Sequence, residues 1–388
     1  MRAALILATL TLTAHAQWTI QQSPTTANLR GIDALGKGLA WASGADGTVL
    51  LTEDNGAHWR RCTTPPNAET LDFRGIQAFD NKTAIVMSSG PGDQSRLYKT
   101  TDGCNTWKLI FTNPEPKGFF DAIQTETNIV AGMPDPDPDL ALVLGDSVEG
   151  KIQIWEWQYR GDYCEQALQN PTWDHQHCPV DDAELFYPTK SSADVGEGSF
   201  AASNSVFQVV KTQQIDPDWK YEYRFASNTE SKAFMSMVLA EKTNCEPCRL
   251  VRRRVEVPMS DGTAKSGIYS FAFSTEYVGV AVGGNYEKPA TRLKTASFTK
   301  DGGNTWKLAT TPPHGYRSAV AYDAKTKTWI TVGPNGTDIS TDDGRNWHPL
   351  KPSPTDQPDA DQHWNALSLP FAVGPKGRIG LLNPAAPK

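Results

Sequence analysis

Four copies of one short pattern constrain this chain more than any other feature of it. Each copy has a hydroxyl residue, an Asp two places later, a Gly two places after that, and then a Trp. The copies are Thr52, Asp54, Gly56 and Trp59; Thr100, Asp102, Cys104 and Trp107; Thr299, Asp301, Gly303 and Trp306; and Ser340, Asp342, Gly344 and Trp347. Cys104 holds the glycine place in the second copy. An Asp carboxylate at that spacing accepts backbone N–H groups in a tight turn, and Gly supplies a positive φ. The Trp then leads the next strand into a core. The flanking runs alternate apolar and polar residues, which is the period of a strand. With 31 Gly, 27 Pro and 12 Trp, the chain is rich in turn formers and aromatics, as all-β chains are.

A second pattern marks the start of each unit. It reads Leu29-Arg30-Gly31-Ile32, Phe73-Arg74-Gly75-Ile76 and Phe120-Asp121-Ala122-Ile123, with weaker versions at Phe200, Tyr269, Tyr316 and Trp364. Seven starts, each followed by short strands and turns, predict a seven-bladed β-propeller with four-stranded blades. A blade needs about 40–50 residues. The intervals from Phe120 to Phe200 and from Phe200 to Tyr269 exceed that, so insertions are expected at about 161–196 and 211–265. The last unit has room for three strands. Trp18 to Gln22 is expected to supply its fourth, closing the ring and removing an exposed edge. Residues 17–388 are read as this one domain.

Residues 1–16 are read as a signal peptide. Arg2 is the positive n-region, Ala3 to Leu12 the apolar core, and Ala14-His15-Ala16 the cleavage site. The apolar run is too short to span a membrane. A secreted or periplasmic protein is therefore expected, beginning near Gln17. In an oxidising compartment the six cysteines are candidates for disulfides. Cys164 and Cys178 flank one irregular segment and are expected to pair. Cys245 and Cys248 are expected to close on themselves at a hairpin tip, and Cys62 and Cys104 are the other candidates. No zinc spacing is present, and no cofactor motif. With 37 Lys+Arg against 44 Asp+Glu and a net charge of -7, nucleic acid is not an expected partner.

The four Asp turns resemble the Asp-box of bacterial neuraminidase (BNR) repeats. The wider chain resembles exported propellers of the photosystem II stability/assembly factor-like kind, which share the sialidase-superfamily fold. The carrying residues are the Leu29 and Phe73 starts, Gly145-Asp-Ser-Val-Glu-Gly150, Gly196-Glu-Gly-Ser-Phe-Ala-Ala-Ser203, Val282-Gly-Gly-Asn-Tyr286 and the Asp turns. The resemblance spans 17–383. It implies a seven-bladed ring with the Asp turns at its outer rim, where Asp54, Asp102, Asp301 and Asp342 are structural.

Function is sought at the channel, which the innermost strands line. Aligning the starts places Arg30, Arg74, Asp121, Ala201, Ser270, Arg317 and Asn365 at one depth. Arg30, Arg74, Arg317 and Asn365 lie on adjacent blades, where planar guanidiniums suit a carboxylate or phosphate. The rival reading is structural, with each arginine paired between blades. Glycoside cleavage would require carboxyls or a Tyr beside the anion. The candidates for that chemistry are Glu197, Asp121 and Tyr286, with Asp33, Tyr269 and Tyr316 behind them. The sialidase Arg-Ile-Pro motif is absent, since Arg30 and Arg74 are each followed by Gly-Ile. The sequence thus points first to a non-catalytic binding or assembly module, a monomer that docks a protein partner or acidic ligand. A hydrolase of acidic glycans is the alternative.

Overall fold

Each unit folds as its pattern dictates. Alternating apolar residues form short strands, Asp and Gly turn the chain, and neighbouring units cover one another's apolar faces. A computed structural model describes residues 17–125, 129–130, 133–134, 140–158, 185–192, 197–215, 218–242, 249–350 and 357–383. Blade one is Leu29–Gly36, Leu39–Gly44, Thr48–Thr52 and Arg60–Arg61. Blade two is Phe73–Ala78, Ala84–Ser88, Arg96–Thr100 and Lys108–Thr112. Blade three is Phe120–Thr125, Leu140–Val148, Lys151–Gln158 and Leu185–Ser192, with a small hairpin of Ile129–Val130 and Met133–Pro134 between its first two strands. Blade four is Phe207–Ile215, Asp218–Asn228, Ala233–Lys242 and Arg249–Val257. Blade five is Ser266–Phe273, Gly279–Asn285, Ala296–Thr299 and Lys307–Leu308. Blade six is Ala319–Asp323, Thr328–Gly333, Gly336–Ser340 and His348–Pro349.

Blade seven takes Ala366–Ser368, Phe371–Val373 and Ile379–Leu382 from the end of the chain and Trp18–Ile20 from its beginning. Trp18 pairs with Leu382, Thr19 with Leu381 and Ile20 with Gly380. The seven four-stranded antiparallel sheets make a seven-bladed propeller, all-β, with one short 3₁₀ turn at Gly92–Gln94 among the described residues.

The core lies between blades. Trp41, Val49 and Leu51 of blade one pack with Phe73, Ile76, Val86 and Tyr98 of blade two. Trp18 and Trp364 pack with Ile330 and Val332 of blade six. The four Asp turns share one geometry. In the second, Asp102 Oδ1 accepts the Asn105 and Thr106 N–H groups at 3.0 Å, Thr106 Oγ1 donates to Oδ2, and Thr100 Oγ1 receives the Cys104 N–H at 3.0 Å. Trp59, Trp107, Trp306 and Trp347 are buried behind these turns.

Two expectations about length and bonding are refined. The expected insertion at 211–265 takes in the end of the first strand and the whole of the other three strands of blade four, which have 9, 11, 10 and 9 residues in order. Of 161–196, only Leu185–Ser192 is described, as the outer strand of blade three. The disulfide present joins Cys62 to Cys104, with Cα atoms 5.3 Å apart. Cys164, Cys178, Cys245, Cys248 and residues 1–16 lie outside the described residues.

Candidate functional site

A backbone irregularity places the residues around the channel. In blade one, Leu29 opposes Gly44 and Gly31 opposes Ser43, so Arg30 bulges out between them. Arg74 bulges in the same way between Phe73 and Gly75, and Asp121 between Phe120 and Ala122. A bulge re-aims one side chain out of the ladder. The residue before it is buried and apolar; the residue after it is Gly or Ala, because a neighbouring blade lies close. A Cβ at Gly31 would come 2.4 Å from Ser43 Oγ and 3.2 Å from the Arg74 carbonyl.

This register differs from the one read off the sequence. In blade five, Ile268 opposes Gly283 and Ser270 opposes Val282, so the bulged residue is Tyr269 and not Ser270. In blade six, Ala319 opposes Val332 and the Ser318 N–H also donates to the Val332 carbonyl. Ser318 therefore holds the ring position, and Arg317 sits one place earlier, in the core. Blade seven keeps Asn365, whose N–H donates to Val373 while Ala366 opposes Val373. In blade four the chain bridges at Gly198 and Asn228 and rejoins the sheet near Val206, so residues 199–205 replace the single bulge. Ala201 lies in that loop.

Arg317 is consumed by its surroundings. It is fully buried, and its Nε and Nη2 donate to Asp338 Oδ2. Its Nη1 donates to the Tyr316 carbonyl and to Asn335 Oδ1, each at 2.7 Å, and Nη2 also meets His314 Nδ1. Burial opposes charge on Asp338, but hydrogen bonding from His314 and the Arg317 charge hold its carboxyl below the usual range. Asn365 is also occupied, donating to Asn28 Oδ1 and the Leu29 carbonyl at 2.8 Å. Both are inter-element ties.

Arg30 and Arg74 differ from these. Arg74 Nε donates to Asp72 at 2.7 Å, and its Nη1 reaches the Ala201 carbonyl at 3.3 Å. Its guanidinium lies 5.8 Å from the Phe119 ring centre. Arg30 is half-buried, and its Nε, which water does not reach, has no hydrogen-bond partner among the described residues. Burial and the Arg74 charge pull Arg30 below the usual guanidinium range, while Asp72 and Tyr316 act the other way. It remains charged. Two cations thus share the single carboxylate of Asp72.

An aromatic cluster forms around Tyr269. Phe200 stacks on Tyr269 at 3.9 Å, and Tyr316 and Tyr286 meet Tyr269 edge-on at 4.8 and 6.2 Å. Tyr286 is exposed, and Lys265 Nζ donates to its hydroxyl at 2.9 Å. Burial pushes the Tyr269 and Tyr316 hydroxyls well above the ordinary phenol range.

The carboxyl candidates are dispersed. Glu197 is fully buried and accepts from Arg252, from Arg254 at 2.7 Å and from Ser227 at 2.7 Å. The sequence signal for that was Arg252-Arg253-Arg254: alternation turns the outer two to one face, and Arg253 is exposed on the other. Asp33 accepts the Ala78 N–H at 2.8 Å, and burial lifts its carboxyl to about 6. Asp121 is buried beside Asp146, a residue that sequence reasoning did not single out. No described contact joins Glu197, Asp121 and Tyr286. Among the described residues, no group of three or more His, Cys, Asp or Glu side chains is placed to hold a metal ion.

No protein-family model matches this sequence, and no curated protein matches it. Solved structures do match in shape. One is described as "YCF48 bound to D1 peptide": TM-score 0.56, 15% identity, covering 95% of this chain and 98% of that one. Another is YCF48 from Cyanidioschyzon merolae: TM-score 0.53, 15% identity, covering 95% and 99%. The fold is similar to that of these two YCF48 structures. At this identity the likeness bears on architecture alone, over the 95% of this chain that is covered, and the site rests on its own residues.

Proposed function

We propose that the protein is a non-catalytic docking propeller that binds an acidic segment of a protein partner at the channel mouth, around Arg30 and Arg74. The observation that carries this is Arg30: a half-buried guanidinium with no hydrogen-bond partner among the described residues, next to a second arginine. A desolvated cation without a partner is costly, and a ligand carboxylate removes that cost through bidentate hydrogen bonds. Tyr316 lies close enough to act on Arg30, and with Phe200 and Tyr286 it belongs to the aromatic cluster around Tyr269. A similar fold is known with a peptide bound, in YCF48, which supports a protein segment as the ligand class.

Catalysis has less to draw on. Glu197 is neutralised by two arginines, and burial holds the Tyr269 and Tyr316 phenols in their neutral form. The hydrolase reading has no observation in its favour. Export after cleavage near Ala16 belongs to this proposal, and intact-mass measurement of protein recovered from its source tests it, with Gln17 the expected first residue.

The deciding experiment is fluorescence anisotropy of labelled hexa-aspartate and hexa-serine peptides with the protein, at low and moderate salt. Binding of the acidic peptide alone is expected, weakening as salt rises. Arg30→Ala should weaken it by about tenfold or more, because a hydrogen bond to a charged group is worth about 1.5–3 kcal/mol. Equal binding of both peptides, or unchanged binding by Arg30→Ala, overturns the reading.

A further inference from the structure

Asp121 occupies the ring position next to Arg74, yet it is no partner to it. Its side chain is buried, and neither carboxyl oxygen meets a donor from any described residue. What it meets is a second carboxyl, Asp146, from the second strand of blade three. The Ser199 N–H donates to Asp146 Oδ1 at 3.1 Å, and Gly198 lets the chain pass: a Cβ there would lie 2.3 Å from that oxygen. A buried carboxyl beside a half-buried one resists double ionisation, so the pair keeps one proton, on the buried Asp121. No third His, Cys, Asp or Glu joins them among the described residues, which suits a proton better than a metal ion.

Among the described residues, the charged groups acting on Asp121 are few. Asp146 comes from its own blade, and Arg74 from the inner strand of blade two, where Asp72 already holds the Arg74 Nε. Segment 197–199 precedes blade four, and its Glu197 charge is taken up by Arg252 and Arg254. The geometry points to a proton-controlled docking site, an inference that rests on the docking reading above. With the proton on Asp121, the pair carries a single negative charge, on Asp146 where the Ser199 N–H meets it, and leaves Arg74 and Arg30 to an acidic partner; once the proton is lost, the Asp121 carboxylate competes with that partner for Arg74. Burial and the Asp146 charge both raise the Asp121 carboxyl well above its ordinary range, and Arg74 acts against them. The transition therefore falls at a higher pH than the titration of a carboxylate ligand.

Two measurements on wild type and Asp121→Asn test this. The first uses no ligand: thermal unfolding across pH 5 to 9. A carboxyl raised in the folded state stabilises below its unfolded pKa and loses that contribution as pH rises. Wild type should lose Tm relative to Asp121→Asn as pH rises, and parallel profiles would overturn the proton-loaded pair. The second is anisotropy with hexa-aspartate, whose carboxylates stay ionised above about pH 5.5. Wild-type affinity should fall by about tenfold with rising pH, a usual size for coupling between sites. Asp121→Asn should hold its low-pH affinity throughout. Identical pH profiles for the two proteins, with binding present, overturn the coupling alone. Absence of binding at every pH overturns the docking reading and this inference with it.

Discussion

Trp18 and Trp364 pack with ring centres 5.1 Å apart and planes tilted by 39°, although one lies near the start of the described chain and the other near its end. Trp18 Nε1 also donates to Thr337 Oγ1 of blade six at 3.1 Å. The first strand therefore does more than complete a sheet. It fills the interface between blades six and seven, which is where the ring must shut.

Removing that plug has a defined cost. A buried aromatic replaced by Ala costs about 3–5 kcal/mol, since transfer energy is lost and a cavity is left. Trp18→Ala is expected to lower stability by that amount in urea unfolding, and removal of residues 17–20 by at least as much. A truncated protein with unchanged midpoint would show that the ring closes without its N-terminal strand.

The second Asp turn carries its own test. Cys104 stands at φ 60°, where the other three copies have Gly56, Gly303 and Gly344 at 80°, 90° and 76°. The left-handed conformation strains a non-glycine residue by about 1 kcal/mol, and here the disulfide to Cys62 holds it. That bond closes a loop with a sequence separation of 42, across most of blade two. Cys104→Ala and Cys104→Gly both lose the bond, at about 2–5 kcal/mol. Cys104→Gly should nevertheless be the more stable of the two by about 1 kcal/mol, because it restores the residue that the turn prefers. The opposite order would show that the backbone there is not what the side chain is working against.

What could be read from the sequence was whatever repeats locally. Thr52, Asp54 and Trp59 fix their own turn, so four copies gave the strand order, and the missing outer strand of the last unit gave the role of Trp18. The ring was harder. A large apolar residue followed by any residue fits Leu29-Arg30 and Phe73-Arg74 but misplaces Tyr269-Ser270 and Tyr316-Arg317 by one. The better marker is the small residue after the bulge, Gly31, Gly75, Ala122, Ser270, Ala319 or Ala366, because close approach between blades excludes a larger one. Partners from distant elements, such as Arg252 on Glu197 or Asp146 beside Asp121, leave no local spacing to detect.

The stability changes below about pH 4 and between about pH 4 and 6 should have separate sources. Hydrogen bonds from the His58 backbone and ring lower the Asp54 carboxyl to about 2, and those from Thr106 lower Asp102 to about 2. A lowered carboxyl stabilises above its unfolded pKa of about 4 and loses that contribution as pH falls toward 2. Asp33 has the reverse sign. Burial raises it to about 6, against the Ala78 N–H, so its contribution is complete below about 4 and lost as pH rises through 6. Thermal unfolding of Asp33→Asn should show a smaller decline than wild type between pH 4 and 6, with the acid limb unchanged. Equal declines would show that Asp33 titrates normally.

Arg317 takes the place that Leu29, Phe73, Phe120, Ile268 and Trp364 hold in other blades, and Asp338 faces it where blade one has Leu50. A buried ion pair has replaced an apolar contact. Breaking such a pair leaves an uncompensated buried charge, at about 3–5 kcal/mol, whereas replacing both partners by apolar residues is often neutral or better. Asp338→Leu alone should therefore be strongly destabilising. Adding Arg317→Leu should recover most of the loss, less a remainder from His314, which also meets Asp338. Acidic-peptide binding by the folded double variant should match wild type, because Arg317 points into the blade and not at the channel mouth. A double variant that folds but no longer binds would return Arg317 to the docking site.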